Sequence, residues 1–154
     1  MTATATVQAT PRWFLSGRAG DFMAANVRSV RADATLAELA ALLIDRALHA
    51  VPVIDDAGRP VGVVSKSDLL VHAREGGLLL PLGAAVPQHT PATTAGDLMT
   101  PAVFAVAEDT PAHKVLEQLT AMQVHQLFVV DRAGTLVGVI HALDVLRQLR
   151  VDDR

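Results

Sequence analysis

VPVIDDAGRPVGVVSKSDLL, residues 51–70, and LFVVDRAGTLVGVIHALDVL, residues 127–146, are one pattern written twice. Each has an apolar run ending in Asp, a short turn closed by Gly58 or Gly134, and a second apolar run around Gly62 or Gly138. Two β-favouring runs flanking a glycine turn predict a β-hairpin. Asp68-Leu69-Leu70-Val71 then reads as the start of a helix, which places Ser65, Lys66 and Asp68 on a strand-to-helix turn. Turns of that kind expose backbone N–H groups and attract anions.

The correspondence extends upstream without a gap. Sliding the chain by 76 positions lays residues 21–70 over 97–146, and roughly a third of the positions match. The pairs include Asp21/Asp97, Met23/Met99, Asp33/Asp109, Leu43/Leu119, His49/His125 and Asp68/Asp144. Val27–Val30 and Val103–Val106 read as short extended pieces. Leu36, Leu39, Ala40, Leu43 and Ala47, and their counterparts Ala112, Val115, Leu116, Leu119 and Met122, fall at helical spacing. Thr35 with Glu38 has capping-box spacing, and Thr110 before Pro111 predicts a cap followed by proline at the first helical position. A second helix follows each hairpin, ending near Arg74 and near Arg150.

The predicted fold is therefore mixed α/β (α+β): two β-α-β-β-α units. The expected divisions are an N-terminal extension (1–18), unit 1 (19–74), a linker (75–96), unit 2 (97–150) and a tail (151–154). A three-stranded sheet with helices on one face leaves apolar sheet uncovered, so the units are expected to pair and neither to fold well alone. The linker is rich in Gly, Pro, Ala and Thr, with Leu78-Leu79-Leu80 as either a hook on the pair or a sticky segment for a partner.

Composition limits the function. The 154 residues are 51% hydrophobic but only 3% aromatic, so the core is built from Ala, Val and Leu. A net charge of −3 and no basic cluster interleaved with aromatics argue against nucleic acid. With no cysteine there are no disulfides, thiolate nucleophiles or cysteine zinc sites, which fits a reducing compartment. No apolar run is long enough for a membrane helix and the N-terminus lacks a signal-peptide pattern, so the expectation is a cytoplasmic protein without a membrane partner. The opening residues are expected to stay loose up to Trp13-Phe14-Leu15. No P-loop, Gly-x-Ser-x-Gly, His-Glu-x-x-His or Gly-x-Gly-x-x-Gly occurs, so no catalytic residue is assigned. His49 and His125 lack a third ligand for a metal and are read as helping to end their helices; His72, His89 and His113 are read as surface or linker residues.

The tandem of units, each with an apolar strand ending in Asp, an Asp-x-x-Gly turn and a Gly-apolar-apolar-x-x-x-Asp turn, resembles the CBS-domain family over about residues 19–150. A pair of such units is often called a Bateman module. The resemblance implies packing about a pseudo-twofold axis, with clefts that bind adenine nucleotides or S-adenosylmethionine. It also implies that Ser65 contacts phosphate and Asp68 the ribose hydroxyls, with the base against His49-Ala50-Val51 in one copy and His125-Gln126-Leu127 in the other. The chemistry of these groups suits those roles, because a carboxylate accepts two vicinal hydroxyls and a serine hydroxyl suits a phosphate oxygen. The alternative is that Ser65 and Asp68 merely cap the helix. Lys66 is either a phosphate partner or a solvated lysine. The second copy departs from the pattern: His141 replaces Ser65, leaving Asp144 of the polar pair, and Phe128 replaces Pro52, where it would crowd or floor the base pocket.

The expectation is a stand-alone sensor that binds an adenosine-type ligand, AMP, ADP, ATP or S-adenosylmethionine, forms a homodimer through its apolar helix faces, and signals to an unknown target protein in trans. It uses no catalytic cofactor. The alternative is a ligand-free structural adaptor acting through protein–protein contacts.

Overall fold

Residues 12–75 and 92–152 are described in the computed structural model, and within them the sequence repeat is a structural repeat. Strand β1 (Arg12–Leu15) comes first among the described residues. The first repeat then runs α1 (Ala19–Phe22), β2 (Val30–Arg31), α2 (Leu36–Asp45), β3 (Ala50–Ile54), β4 (Pro60–Ser65), α3 (Lys66–Glu75). The second short helix, α4 (Ala95–Leu98), leads into β5 (Ala105–Ala107), α5 (Ala112–Ala121), β6 (Gln126–Val130), β7 (Leu136–His141), α6 (Ala142–Leu146) and a last strand, β8 (Leu149–Asp152). Residues 1–11, the Leu78–Leu80 triplet and His89 lie outside the described residues.

Each unit has a three-stranded sheet, β2-β3-β4 or β5-β6-β7, with a parallel first pair and an antiparallel hairpin. The hairpin turns follow from the Asp. Asp55 Oδ1 accepts from the Ala57 and Arg59 N–H groups, each at 2.9 Å, and Asp131 Oδ1 does the same for Ala133 and Thr135. Gly58 and Gly134, at φ +77° and +81°, then take the left-handed step that an L side chain resists.

Alternate strand residues face the helices. Val51, Val53 and Val64 pack with Leu39 and Leu43; Leu127, Val129 and Ile140 pack with Val115, Leu119 and Val145. The units exchange their short helices: Ala95 of α4 is buried in the first core and Ala19 of α1 in the second. Backbone pairing fixes the exchange. Gly96 N–H donates to the Ala32 carbonyl and Gly20 N–H to that of Glu108, each at 2.8 Å, while Thr100 pairs with Val63 and Ala24 with Val139.

Both α2 and α5 end in the same way. Leu48 N–H donates to the Leu43 carbonyl and Ala47 N–H to that of Ile44; Val124 with Leu119 and Gln123 with Thr120 repeat the pattern. This is a Schellman closure, with Ala47 and Gln123 at positive φ. Backbone geometry thus closes both helices one or two residues before His49 and His125.

Two expectations are corrected. Thr110 is not the cap of α5: Pro111 is, at the position equivalent to Thr35, and the Ala112 N–H is satisfied by the Gly17 carbonyl. The last helix does not reach Arg150 but stops at Leu146, because residues 149–152 pair antiparallel with β1. That pairing is what Trp13-Phe14-Leu15 finds: Leu15 packs on the second core, while Trp13 and Phe14 remain exposed.

Candidate functional site

The Schellman closures steer the chain from each helix into its middle strand through equivalent segments, Ala47–Ala50 and Gln123–Gln126. These two segments, the turn Ser65-Lys66-Ser67, His141 at the end of β7, and Phe104 line a single cavity of about 790 Å³ between the repeats. Backbone bonds hold the turns against the strand entries: Lys66 N–H donates to the His49 carbonyl and Ala142 N–H to that of His125, each at 3.0 Å. The cavity therefore draws the same two parts from each copy, and its size is within the range of small-molecule sites.

Of the residues singled out from the sequence, Ala50, Ser65, Lys66, Gln126 and His141 line this cavity. Val51 and Leu127 do not. They are fully buried in the two cores, since strand alternation turns their side chains to the helices, so neither walls the cavity. Phe128 is only 3% exposed and does not line the cavity either; Phe104 does.

Asp68 and Asp144 stand one helical turn behind the lining, where both act as caps. Asp68 Oδ2 accepts from Ser65 N–H at 2.7 Å and from Ser65 Oγ at 2.8 Å, and Ser65 Oγ accepts from Asp68 N–H at 3.2 Å. Asp68 Oδ1 makes no hydrogen bond among the described residues. In the second repeat Asp144 Oδ2 accepts from His141 N–H at 2.9 Å and lies 3.5 Å from His141 Nδ1, while Arg147 Nη1 approaches Oδ1 at 3.5 Å. The second carboxylate is thus enclosed by a histidine and an arginine, the first by a serine alone.

His49 and His125, which open the two segments expected against the base, line the cavity, as does Phe104, which sequence reading left out of the site. Phe104 carried no signal, since Arg28 is its counterpart in the first repeat. Among the described residues no three His, Asp or Glu side chains come together as a metal-binding group. His72 meets Thr93 Oγ1 through Nε2 at 3.3 Å.

A second, apolar groove of about 340 Å³ lies between α2 and α3, lined by Leu36, Ala40, Leu43, Ile44, Leu69, Leu70, Ala73 and Lys66. Ile44 and Leu70 are exposed there, as are Leu143 and Leu146 on α6 and Leu116 and Met122 on and beside α5.

A sequence model of the CBS domain matches residues 19–75 and again 95–151. The 5'-AMP-activated protein kinase subunit gamma-3 of Bos taurus is 29% identical over 111 residues, 70% of this chain but only 21% of that subunit. The chain thus spans about a fifth of the kinase subunit. The crystal structure of CBSX2, a CBS-pair protein of Arabidopsis thaliana, in complex with AMP is 30% identical, with a TM-score of 0.67 over 84% of this chain and 93% of that one. The cytosolic domain of the Mg2+ channel MgtE in complex with ATP is 29% identical, with a TM-score of 0.67 over 84% of this chain and 48% of that one.

Proposed function

The chain belongs to the CBS-domain family, and from that premise we propose that it is a regulatory module that binds an adenosine-containing ligand between its two repeats and signals to a partner in trans. The observation that carries this reading is the cavity of about 790 Å³ bounded by Ser65, Lys66 and the entries to β3 and β6. AMP in CBSX2 and ATP in the MgtE domain, each about 30% identical to this chain, support an adenine nucleotide over other ligand classes.

Within this reading Ser65 and Lys66 meet phosphate, and Ala50 and Gln126 flank the base. Asp68 offers Oδ1 to ribose while Oδ2 keeps the cap. His141 and Asp144 play the corresponding part in the second repeat, and Val51 and Leu127 contribute backbone groups only. The units are 19–74 and 97–150. The module is non-catalytic, works in the cytoplasm and contacts no nucleic acid, as a net charge of −3 favours. No helix among the described residues is long and apolar enough to cross a membrane.

A ligand that binds one arrangement of the repeats better than another by about 1–3 kcal/mol is enough to signal. Calorimetric titration of ligand-stripped protein with AMP, ATP and S-adenosylmethionine tests the reading. Micromolar binding, weakened in Lys66→Ala, supports it; no heat from any of the three with folded protein overturns it in favour of the adaptor reading. The exposed Ile44, Leu70, Leu143 and Leu146 favour a second element of the proposal, a homodimer through the helix faces. A monomer at micromolar concentration in analytical ultracentrifugation removes that element alone.

A further inference from the structure

The helix pairs of the two repeats have opposite shapes. In the first, α2 and α3 leave the apolar groove of about 340 Å³, lined by Ala40, Leu43, Ile44, Leu70 and Ala73 among others. In the second, larger side chains stand at corresponding places 76 positions on: Leu116 for Ala40, and Leu143 for Ser67 on the exposed flank of α3. Both leucines are exposed, as are Leu146 and Met122 near them in the chain. The helices differ in length too, since α3 runs on to Glu75 and supplies Ala73 to the groove, whereas α6 stops at Leu146. Small residues thus leave a hollow on one repeat, and leucines raise a ridge at the matching place on the other.

We propose that these surfaces fit each other between copies: the α5/α6 ridge of one copy seats in the α2/α3 groove of a second, and the reciprocal contact closes a head-to-tail dimer. The inference rests on the homodimer proposed above and adds which face meets which. Area supports a second copy as the occupant. The exposed apolar residues on and beside these four helices, from Ile44 and Leu70 to Leu143 and Leu146, present about 700 Å² per copy, so two copies bring about 1,400 Å², within the ~1,200–2,000 Å² of a stable interface. Shape sets the orientation. Pairing like with like lays hollow on hollow, which leaves a void, and leucines on leucines, which overpacks; interface cores are as dense as protein interiors and tolerate neither. Ridge in groove fills the one with the other. Because each chain carries both surfaces, a twofold axis makes the contact twice and leaves neither uncovered.

Sedimentation velocity of the full chain and of two charge variants tests the fit. Ile44→Lys alters the groove and Leu143→Glu the ridge; the two side chains are 73% and 57% exposed, so each variant is expected to keep the wild-type circular dichroism and melting curve. In a head-to-tail dimer of either variant alone both contacts are spoiled, and the dissociation constant is expected to rise about a hundredfold or more. In an equimolar mixture one contact joins an intact groove to an intact ridge and the other sets the new cation against the new anion. Association is then expected to return to within about tenfold of wild type. A mixture that associates no better than the variants alone overturns the proposal, because a like-with-like dimer sets each substitution against the unaltered same face. A wild-type dimer that neither variant weakens also overturns it, and leaves the homodimer standing. Mass that grows past the dimer with concentration overturns the twofold pairing, and a wild-type monomer at micromolar concentration defeats the homodimer and its orientation together.

Discussion

Met99, from the chain just after α4, lies across Gly62 in the other repeat's β4, so close that a Cβ at position 62 would fall 2.5 Å from Met99 Sδ and 2.9 Å from the Thr100 carbonyl oxygen. The reverse contact, Met23 across Gly138, repeats it 76 positions away. Each repeat thus keeps a glycine to seat a methionine supplied by the other, which is how the exchange of short helices is locked.

Gly62→Ala is expected to destabilise the protein by about 1–3 kcal/mol, the usual cost of overpacking a well-filled site. Gly138→Ala is expected to cost less, because the three atoms nearest its Cβ all belong to the Met23 side chain, whereas backbone also blocks position 62. Urea unfolding of the two variants measures the difference; equal losses would mean that the backbone at Thr100 moves freely.

Ala47 holds φ +51° at the Schellman closure of α2, a conformation that costs an L residue about 1–2 kcal/mol and glycine little. Part of that gain is offset by the greater freedom of glycine in the unfolded chain. Ala47→Gly is therefore expected to stabilise by about 0.5–1 kcal/mol, raising Tm by roughly 2 °C. A lower Tm in thermal unfolding contradicts this.

The repeat was legible because its signals are local: hairpins with their Asp-x-x-Gly turns, amphipathic helices, and the Ser65/Asp68 spacing all lie within a few residues. What was not legible depends on partners far apart in sequence. Nothing in Trp13-Phe14-Leu15 or in Leu149–Val151 announces the other, so β8 reads as the end of a helix until β1 is seen beside it. The exchange of α1 and α4 is hidden for the same reason, although Met23/Met99 and Gly62/Gly138 were visible as matched pairs. At the site, strand alternation alone removes Val51 and Leu127 from the lining, while Phe104 enters it at a position where the first repeat has Arg28.

Acid should weaken the fold through its caps. The Thr35 backbone N–H, and after it the Thr35 hydroxyl, hold Glu38 below its ordinary 4.5; the Thr94 N–H and hydroxyl hold Asp97 below 3.8; and the Arg59 N–H, foremost among its partners, holds Asp55 below 3.8. A carboxylate with a depressed folded-state pKa contributes stability that is fully present above its unfolded value and lost as pH falls through the folded value. The urea midpoint is thus expected to hold level above about pH 5 as far as these groups are concerned, and to decline below it. Glu38→Gln/Asp97→Asn should start lower at neutral pH and decline less steeply. An unchanged acid limb in that variant would show that other carboxylates govern it.

Asp68 and Asp144 provide the sharpest comparison, because both cap their helices and only their neighbours differ. Losing a capping carboxylate costs about 0.5–2 kcal/mol, so Asp68→Ala and Asp144→Ala are each expected to lower stability by about 1 kcal/mol, and melting curves alone do not separate cap from ligand group. Binding does. Asp68 has an oxygen, Oδ1, with no hydrogen-bond partner among the described residues, whereas Oδ1 of Asp144 faces Arg147. If the first cleft reads ribose through Asp68, Asp68→Ala weakens adenine-nucleotide binding about tenfold to a hundredfold beyond its effect on folding, and Asp144→Ala does so far less. Equal binding by both variants, each merely less stable, would make Asp68 a cap and nothing more.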